Sequence, residues 1–289
     1  MPYTPGTVKQ DEKSSSLFHR LFPCHVLKWA LYRDFSRIIG VKHLKENILG
    51  VLFDDLTMQE AAQRGKEFLT SDTFHYVVTP NPEFLLAAEK DEQFRALLNG
   101  ADLVLPDGIG VIYSAKLLGR PLKERVPGID FASAMLSTLD YLGGRLYLLG
   151  AKPGVAEEAG RRILAQYPHI VLCGTQDGYF KDDAQAAQQA AQAKPDLMFV
   201  CLGAPKQEKW MARWGKHTGA RLAIGLGGAL DVFAGKVERA PESWQKLGLE
   251  WAYRLKQEPR RIGRMARLPL VLVKAAGQRV RGKGQGGEG

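Results

Sequence analysis

Seven short apolar runs, ILGVLF, HYVVT, LVLP, RLYLLG, IVLCG, LMFVCLG and RLAIGLG, punctuate the chain between residues 48 and 227. Between them lie stretches whose apolar residues recur at helical spacing: 58–69, 83–98, 109–118, 155–167, 184–193 and 207–216. Strands that alternate with helices pair in parallel, because each parallel pair needs a crossover long enough to hold a helix. The predicted class is therefore α/β: a Rossmann-like, mostly parallel sheet flanked by helices, with right-handed crossovers. In such sheets ligands bind beyond the carboxyl ends of the strands, so the residues that follow each run are the ones to inspect.

Three regions are expected. Residues 1–45 form an N-terminal extension, polar and partly disordered at first. Within it, 17–39 mixes aromatic and basic residues at helical spacing, which fits either an interfacial amphipathic helix or a helix packed on the body. Residues 46–240 form the Rossmann-like core. Residues 241–289 form a helical appendage, broken near Pro259 and Pro269 and ending in a flexible GKGQGGEG tail.

Charge singles out the appendage. The formal net charge is +9, and from Arg254 onward ten Lys and Arg residues face only Glu258 and Glu288. Such an end suits anionic partners (a phosphorylated ligand, an acidic membrane surface, nucleic acid) or serves as a solubilising tail. No nucleic-acid-binding motif is recognisable, so a basic nucleic-acid binder is the remote alternative. Cys24, Cys173 and Cys201 form no C-x-x-C pair, which fits a reducing cytoplasm without structural zinc or disulfides. No apolar run reaches the roughly 20 residues that span a bilayer, and the first residues lack a signal-peptide core. A soluble or peripheral protein is expected.

Several strand ends carry residues able to do chemistry. HYVVT leads into Thr79-Pro80-Asn81-Pro82, which offers a hydroxyl and an amide either to a ligand or to the cap of the next helix. LVLP leads into Asp107-Gly108-Ile109-Gly110. Here Gly108 allows close backbone approach, and Asp107 reads as a helix cap or as a base. LMFVCLG is followed by Gln207, whose amide suits a sugar hydroxyl or a uracil edge, or is an exposed first-turn residue. RLAIGLG runs into Gly227, Gly228 and Asp231, a glycine-rich turn of the kind that cradles phosphate; Gly150 opens a similar loop. Arg125 is either a phosphate ligand or half of a surface ion pair. No P-loop, G-x-G-x-x-G fingerprint, G-x-S-x-G elbow, H-E-x-x-H or D-x-D triplet occurs, and nothing visible requires a metal or another cofactor.

Taken together, VVTPNPEFL, ADLVLPDGIGVI, ERVPGIDF, LYLLGAKPGV, TQDGYF, VCLGAPKQEKW and GLGGALDVFAGKVERAP resemble the WecG/TagA/CpsF glycosyltransferases over residues 46–265. The resemblance implies a metal-independent, inverting hexosyltransferase of bacterial cell-surface polysaccharide or teichoic acid synthesis. Its donor would be a UDP-sugar, with N-acetylmannosamine the leading sugar. Its acceptor would be N-acetylglucosamine on undecaprenyl diphosphate. It further implies Asp107 as general base, Thr79 in catalysis, and Asn81, Arg125 and Gln207 as pocket residues. Gly108, Gly150, Gly227, Gly228 and Asp231 are taken as substrate-binding positions. Arg254, Arg261 and Arg264 stand where the family places arginines that reach the diphosphate from an appendage that closes over the site. Location is expected on the inner face of the cytoplasmic membrane, peripherally held, and a homo-oligomer is compatible. The alternative is the same fold moving another hexose, such as glucose, to a longer lipid-linked oligosaccharide.

Overall fold

The computed structural model describes residues 45–246, 248–257 and 268–284. The N-terminal extension apart from Lys45, the arginines Arg261 and Arg264, and residues 285–289 lie outside the described residues.

The fold opens with a hairpin, β1 (Lys45–Ile48) and β2 (Val51–Asp54), paired antiparallel. The sequence reading treats 48–53 as one run. Leu49 and Gly50, with φ of 53° and 90°, instead make the two-residue turn that a tight hairpin requires.

The main body follows as α1 (Met58–Leu69), β3 (His75–Val78), α2 (Pro82–Lys90), α3 (Glu92–Asn99), β4 (Leu103–Val104), α4 (Ile109–Leu118), α5 (Gly128–Leu142) and β5 (Arg145–Gly150). Then come α6 (Val155–Gln166), β6 (Val171–Gln176), α7 (Asp183–Ala193), β7 (Leu197–Cys201), α8 (Lys206–Trp214), β8 (Leu222–Gly225) and α9 (Ala229–Phe233). The six strands β3–β8 form one sheet in the order β4-β3-β8-β7-β5-β6, with every pairing parallel. This is the Rossmann-like α/β class expected from the alternation. The central strands are buried on both faces, as helical layers above and below demand. Val78, Val200 and Ala223 face the layer that holds α2, α4, α7 and α8. Val77, Phe199 and Ile224 face the layer of α1, α5, α6 and α9.

Some helix boundaries differ from the sequence reading. The stretch 83–98 is two helices, because the Asp91 side chain accepts the Phe94 N–H and starts a new one. The stretch 207–216 ends as α8 at Trp214 and passes into a 3₁₀ turn, Gly215–Thr218. Helix α5 is missing from that reading, although its buried Phe131, Ala132, Met135, Leu136 and Leu139 recur at helical spacing.

After β8 the described elements are helical: α9, α10 (Glu242–Lys246), α11 (Glu250–Gln257) and α12 (Leu268–Gly284). Pro269 does not break α12. It sits in the first turn, where a missing N–H leaves no bond unmade. The helix continues to Gly284, so the first residues of the expected tail are helical. It packs on α4 and α2, burying Val271 and Ala275 completely. The Lys274 ammonium pairs with Glu89 at 2.7 Å, and the Arg279 guanidinium donates to the Leu117 carbonyl at 3.1 Å.

Candidate active site

The parallel ladder of β3 and β4 continues past the strand ends. Leu105 N–H donates to Val78 O at 2.9 Å and Asp107 N–H to Pro80 O at 3.1 Å. Val126 N–H then donates to Pro106 O at 3.0 Å. These bonds align three loops side by side, 79–82, 105–108 and 125–128. Between them and the segments 226–240 and 248–253 lies a cavity of about 210 Å³, with Thr79, Asn81, Asp107, Gly108 and Arg125 on its wall.

Asp107 does not cap α4. Gly108 holds the N-cap position, with φ at 93°, and Asp107 stands one residue before it. The capping alternative for Asp107 is thereby overturned. Asn81, in contrast, does cap. Its Oδ1 accepts from Glu83 N–H at 2.9 Å and from Phe84 N–H at 3.3 Å, while the residue also lines the cavity.

Thr79 is buried, and its hydroxyl donates to the Gly225 carbonyl at 3.0 Å. Gly128 lies against it so closely that a Cβ there would come within 2.9 Å of the Thr79 methyl. A glycine is needed for the start of α5 to approach this wall.

Arg125 donates from Nη1 to Glu250 Oε2 at 3.1 Å. Arg239 grips Asp130 with both Nη atoms and directs Nε to Glu250 Oε1 at 3.4 Å. Burial pushes the Arg239 pKa down, but the Asp130 and Glu250 carboxylates outweigh it, so the net shift is upward and its charge is secure. Glu250 and Trp251 begin α11, which thus forms part of the cavity wall. Sequence reasoning missed Arg239, Glu250 and Trp251 as site residues. Arg239 stands inside the quoted GKVERAP stretch, but nothing local marks a partner 109 positions away in the sequence.

Among the described residues, Gln207, Gly150, Gly227, Gly228 and Asp231 are not on the cavity wall. Gln207 is buried rather than exposed. Its Nε2 donates to Glu208 Oε1 at 2.7 Å and its Oε1 accepts the Gly227 N–H at 2.9 Å. The Gly227 N–H is therefore already engaged, which weakens the reading of this turn as a phosphate cradle. Gly228 is the N-cap of α9, and the Asp231 carbonyl accepts from Lys236 and Val237. Gly150, with φ at 125°, abuts the Cys201 carbonyl where no Cβ would fit, so its glycine serves sheet packing. Arg254 lies in α11 as backbone.

Beside Gln207, the Glu208 carboxyl has no exposure, and burial pushes its pKa up to about 7. Its Oε2 has no hydrogen-bond partner among the described residues. A carboxyl in such surroundings favours the neutral form.

Among the described residues no group of three or more His, Cys, Asp or Glu could hold a metal ion. None of their helices is long and apolar enough to cross a membrane.

A carboxylate, a hydroxyl and two guanidiniums thus gather beyond the strand ends of a parallel sheet, where folds of this class place their ligands. Residues 46–285 match the glycosyl transferase WecG/TagA/CpsF family, and the chain belongs to it. It is a glycosyltransferase. It is 38% identical over 206 residues to the N-acetylglucosaminyldiphosphoundecaprenol N-acetyl-beta-D-mannosaminyltransferase of Bacillus spizizenii, covering 71% of this chain and 80% of the relative. The enzyme of the same name from Staphylococcus aureus (strain MRSA252) is 33% identical over 234 residues, covering 80% of this chain and 92% of that one.

Proposed function

We propose that this chain transfers N-acetylmannosamine from a UDP-sugar to the N-acetylglucosamine of an undecaprenyl-diphosphate-linked acceptor, with inversion, at the inner face of the cytoplasmic membrane. One observation carries the reading: Asp107 lines the same cavity as Thr79 and Arg125. The names of the relatives supply the sugar and the acceptor.

In the reaction the acceptor hydroxyl oxygen bonds to the anomeric carbon as the bond from that carbon to the UDP oxygen breaks. The hydroxyl proton passes to the Asp107 carboxylate, and the leaving diphosphate takes the electron pair. A single base on the attacking side suffices for inversion. The negative charge growing on UDP meets guanidiniums, Arg125 at the cavity among them and, by the family resemblance, Arg254, Arg261 and Arg264. A cavity of about 210 Å³ is below the roughly 300–1,000 Å³ of sites that bury a drug-sized ligand. It suits the hexose end of the donor, with the uridine lying outside.

The decisive experiment presents the purified chain with a panel of UDP-hexoses and a polyprenyl-diphosphate-linked N-acetylglucosamine. UDP release and a disaccharide-lipid product are expected with UDP-N-acetylmannosamine. Preference for UDP-glucose and a longer lipid-linked oligosaccharide would replace the sugar and acceptor named above. Failure with every donor would remove the reading altogether.

A further inference from the structure

Among the described residues the cavity wall carries the carboxylates Glu83, Asp107, Glu238 and Glu250 and the guanidiniums Arg125 and Arg239. A diphosphate that reaches these guanidiniums meets carboxylates already on them, and one must withdraw. Glu250 is the one placed to do so. It bridges the two guanidiniums, with Oε2 at 3.1 Å from Arg125 Nη1 and Oε1 at 3.4 Å from Arg239 Nε. Its side chain is 26% exposed, so it has solvent to move into. Guanidinium donors accept carboxylate and phosphate oxygens with the same geometry. Asp130 meanwhile holds both Nη atoms of Arg239, fixing that fork whether or not Glu250 is present.

We propose that Arg125 and Arg239 form a clamp for a phosphate of a substrate diphosphate, and that Glu250 occupies the clamp until that ligand displaces it. The proposal rests on the transferase reading above and adds Arg239 and Glu250 to the site. It also differs from a plain ion-pair latch. A latch holds α11 in place, so removing it leaves ligand affinity unchanged or weaker. A resident competitor, once removed, leaves the ligand bound more tightly.

The test is calorimetric titration of the full chain and of its Glu250→Gln and Glu250→Ala variants with two ligands, UDP and farnesyl diphosphate. They represent the two sources of a diphosphate, donor and lipid acceptor. At least one ligand is expected to bind both variants about tenfold more tightly, the scale of one partly desolvated charge contact. Adding Arg239→Ala should abolish the gain. The ligand that responds identifies the source. Unchanged or weaker binding of both ligands, in variants that keep the wild-type melting temperature, overturns the clamp. Should both variants lose that transition, Glu250→Asp decides instead, since the shorter side chain retreats from both guanidiniums and must give the same tightening. UDP binding equally to wild type and variants, with sugar transfer intact and farnesyl diphosphate likewise unaffected, removes the clamp alone. Binding of neither diphosphate by any form removes the clamp and the transferase reading together.

Discussion

The Asp107 N–H donates to the Pro80 carbonyl at 3.1 Å, three residues beyond Val104 of β4 and two beyond Val78 of β3. That bond sets the 105–108 loop beside Thr79 and Asn81. A carboxylate, a hydroxyl and an amide from two separate strands thereby share one wall.

Asp107→Asn should lower turnover by roughly 10²–10⁴-fold, the usual range for a lost general base. Steady-state UDP release, alongside UDP binding, checks this. Near-wild-type turnover would eliminate Asp107 as the base.

Asn81 has two duties that substitution can separate. Asn81→Ala should cost about 1 kcal/mol of stability through the lost cap on α2. Asn81→Asp keeps an acceptor for the Glu83 and Phe84 N–H groups and should keep stability, while losing the amide donor on the cavity side. Chemical denaturation reports the first effect. If the amide serves the sugar, both variants show a raised donor KM; a normal KM in Asn81→Asp rejects that role.

Glu208 makes stability depend on pH in a defined direction. Its carboxyl rises from an ordinary value of 4.5 to about 7 in the fold. The folded chain therefore keeps a proton that the unfolded chain has released. This contribution is present below about pH 4.5 and is lost as pH rises through about 7. Glu208→Gln carries no such proton and retains an acceptor for the Gln207 amide. Its stability relative to wild type should increase by on the order of 3 kcal/mol between pH 4.5 and 8. Urea unfolding at several pH values measures the difference, and a pH-independent gap would mean that the carboxyl titrates normally.

Leu270 and Val273 are 47% and 67% exposed on α12, whose buried side faces the core. Full-length Leu270→Ser/Val273→Ser should bind anionic vesicles more weakly, with little change in melting temperature. Wild-type binding should itself decline with added salt. Vesicle co-sedimentation reads both. Undiminished binding by the variant would move the anchor elsewhere, with residues 17–39 the first candidate.

The sheet and the loops beyond β3 and β4 were legible because their signals are local. Apolar runs bounded by Pro and Gly announce strands, and Asp107 stands where such a run meets two glycines. Glu208 was not legible: PKQEKW carries charge at three of six positions and reads as a solvated helix face, yet Glu208 has no exposure. Gln207 was noticed for the right polarity, but its amide supports the glycine turn from beneath. Arg239 and Glu250 escaped because their meaning lies in pairing with Asp130 and Arg125, more than 100 residues earlier in the chain. Sequence periodicity reports faces of elements; it does not report which faces meet.

The docking of α12 on α4 also orders events during synthesis. The apolar cluster that holds Val111, Ile112 and Ala115 is completed by Val271, about 160 residues downstream. Contacts this distant in sequence close slowly. Until α12 leaves the ribosome, the flank of α4 that it covers lacks that cover, and a nascent chain in that condition is prone to aggregate. Truncations made to simplify the appendage therefore remove a cover from the core, and poor yield from them would report on folding rather than on catalysis.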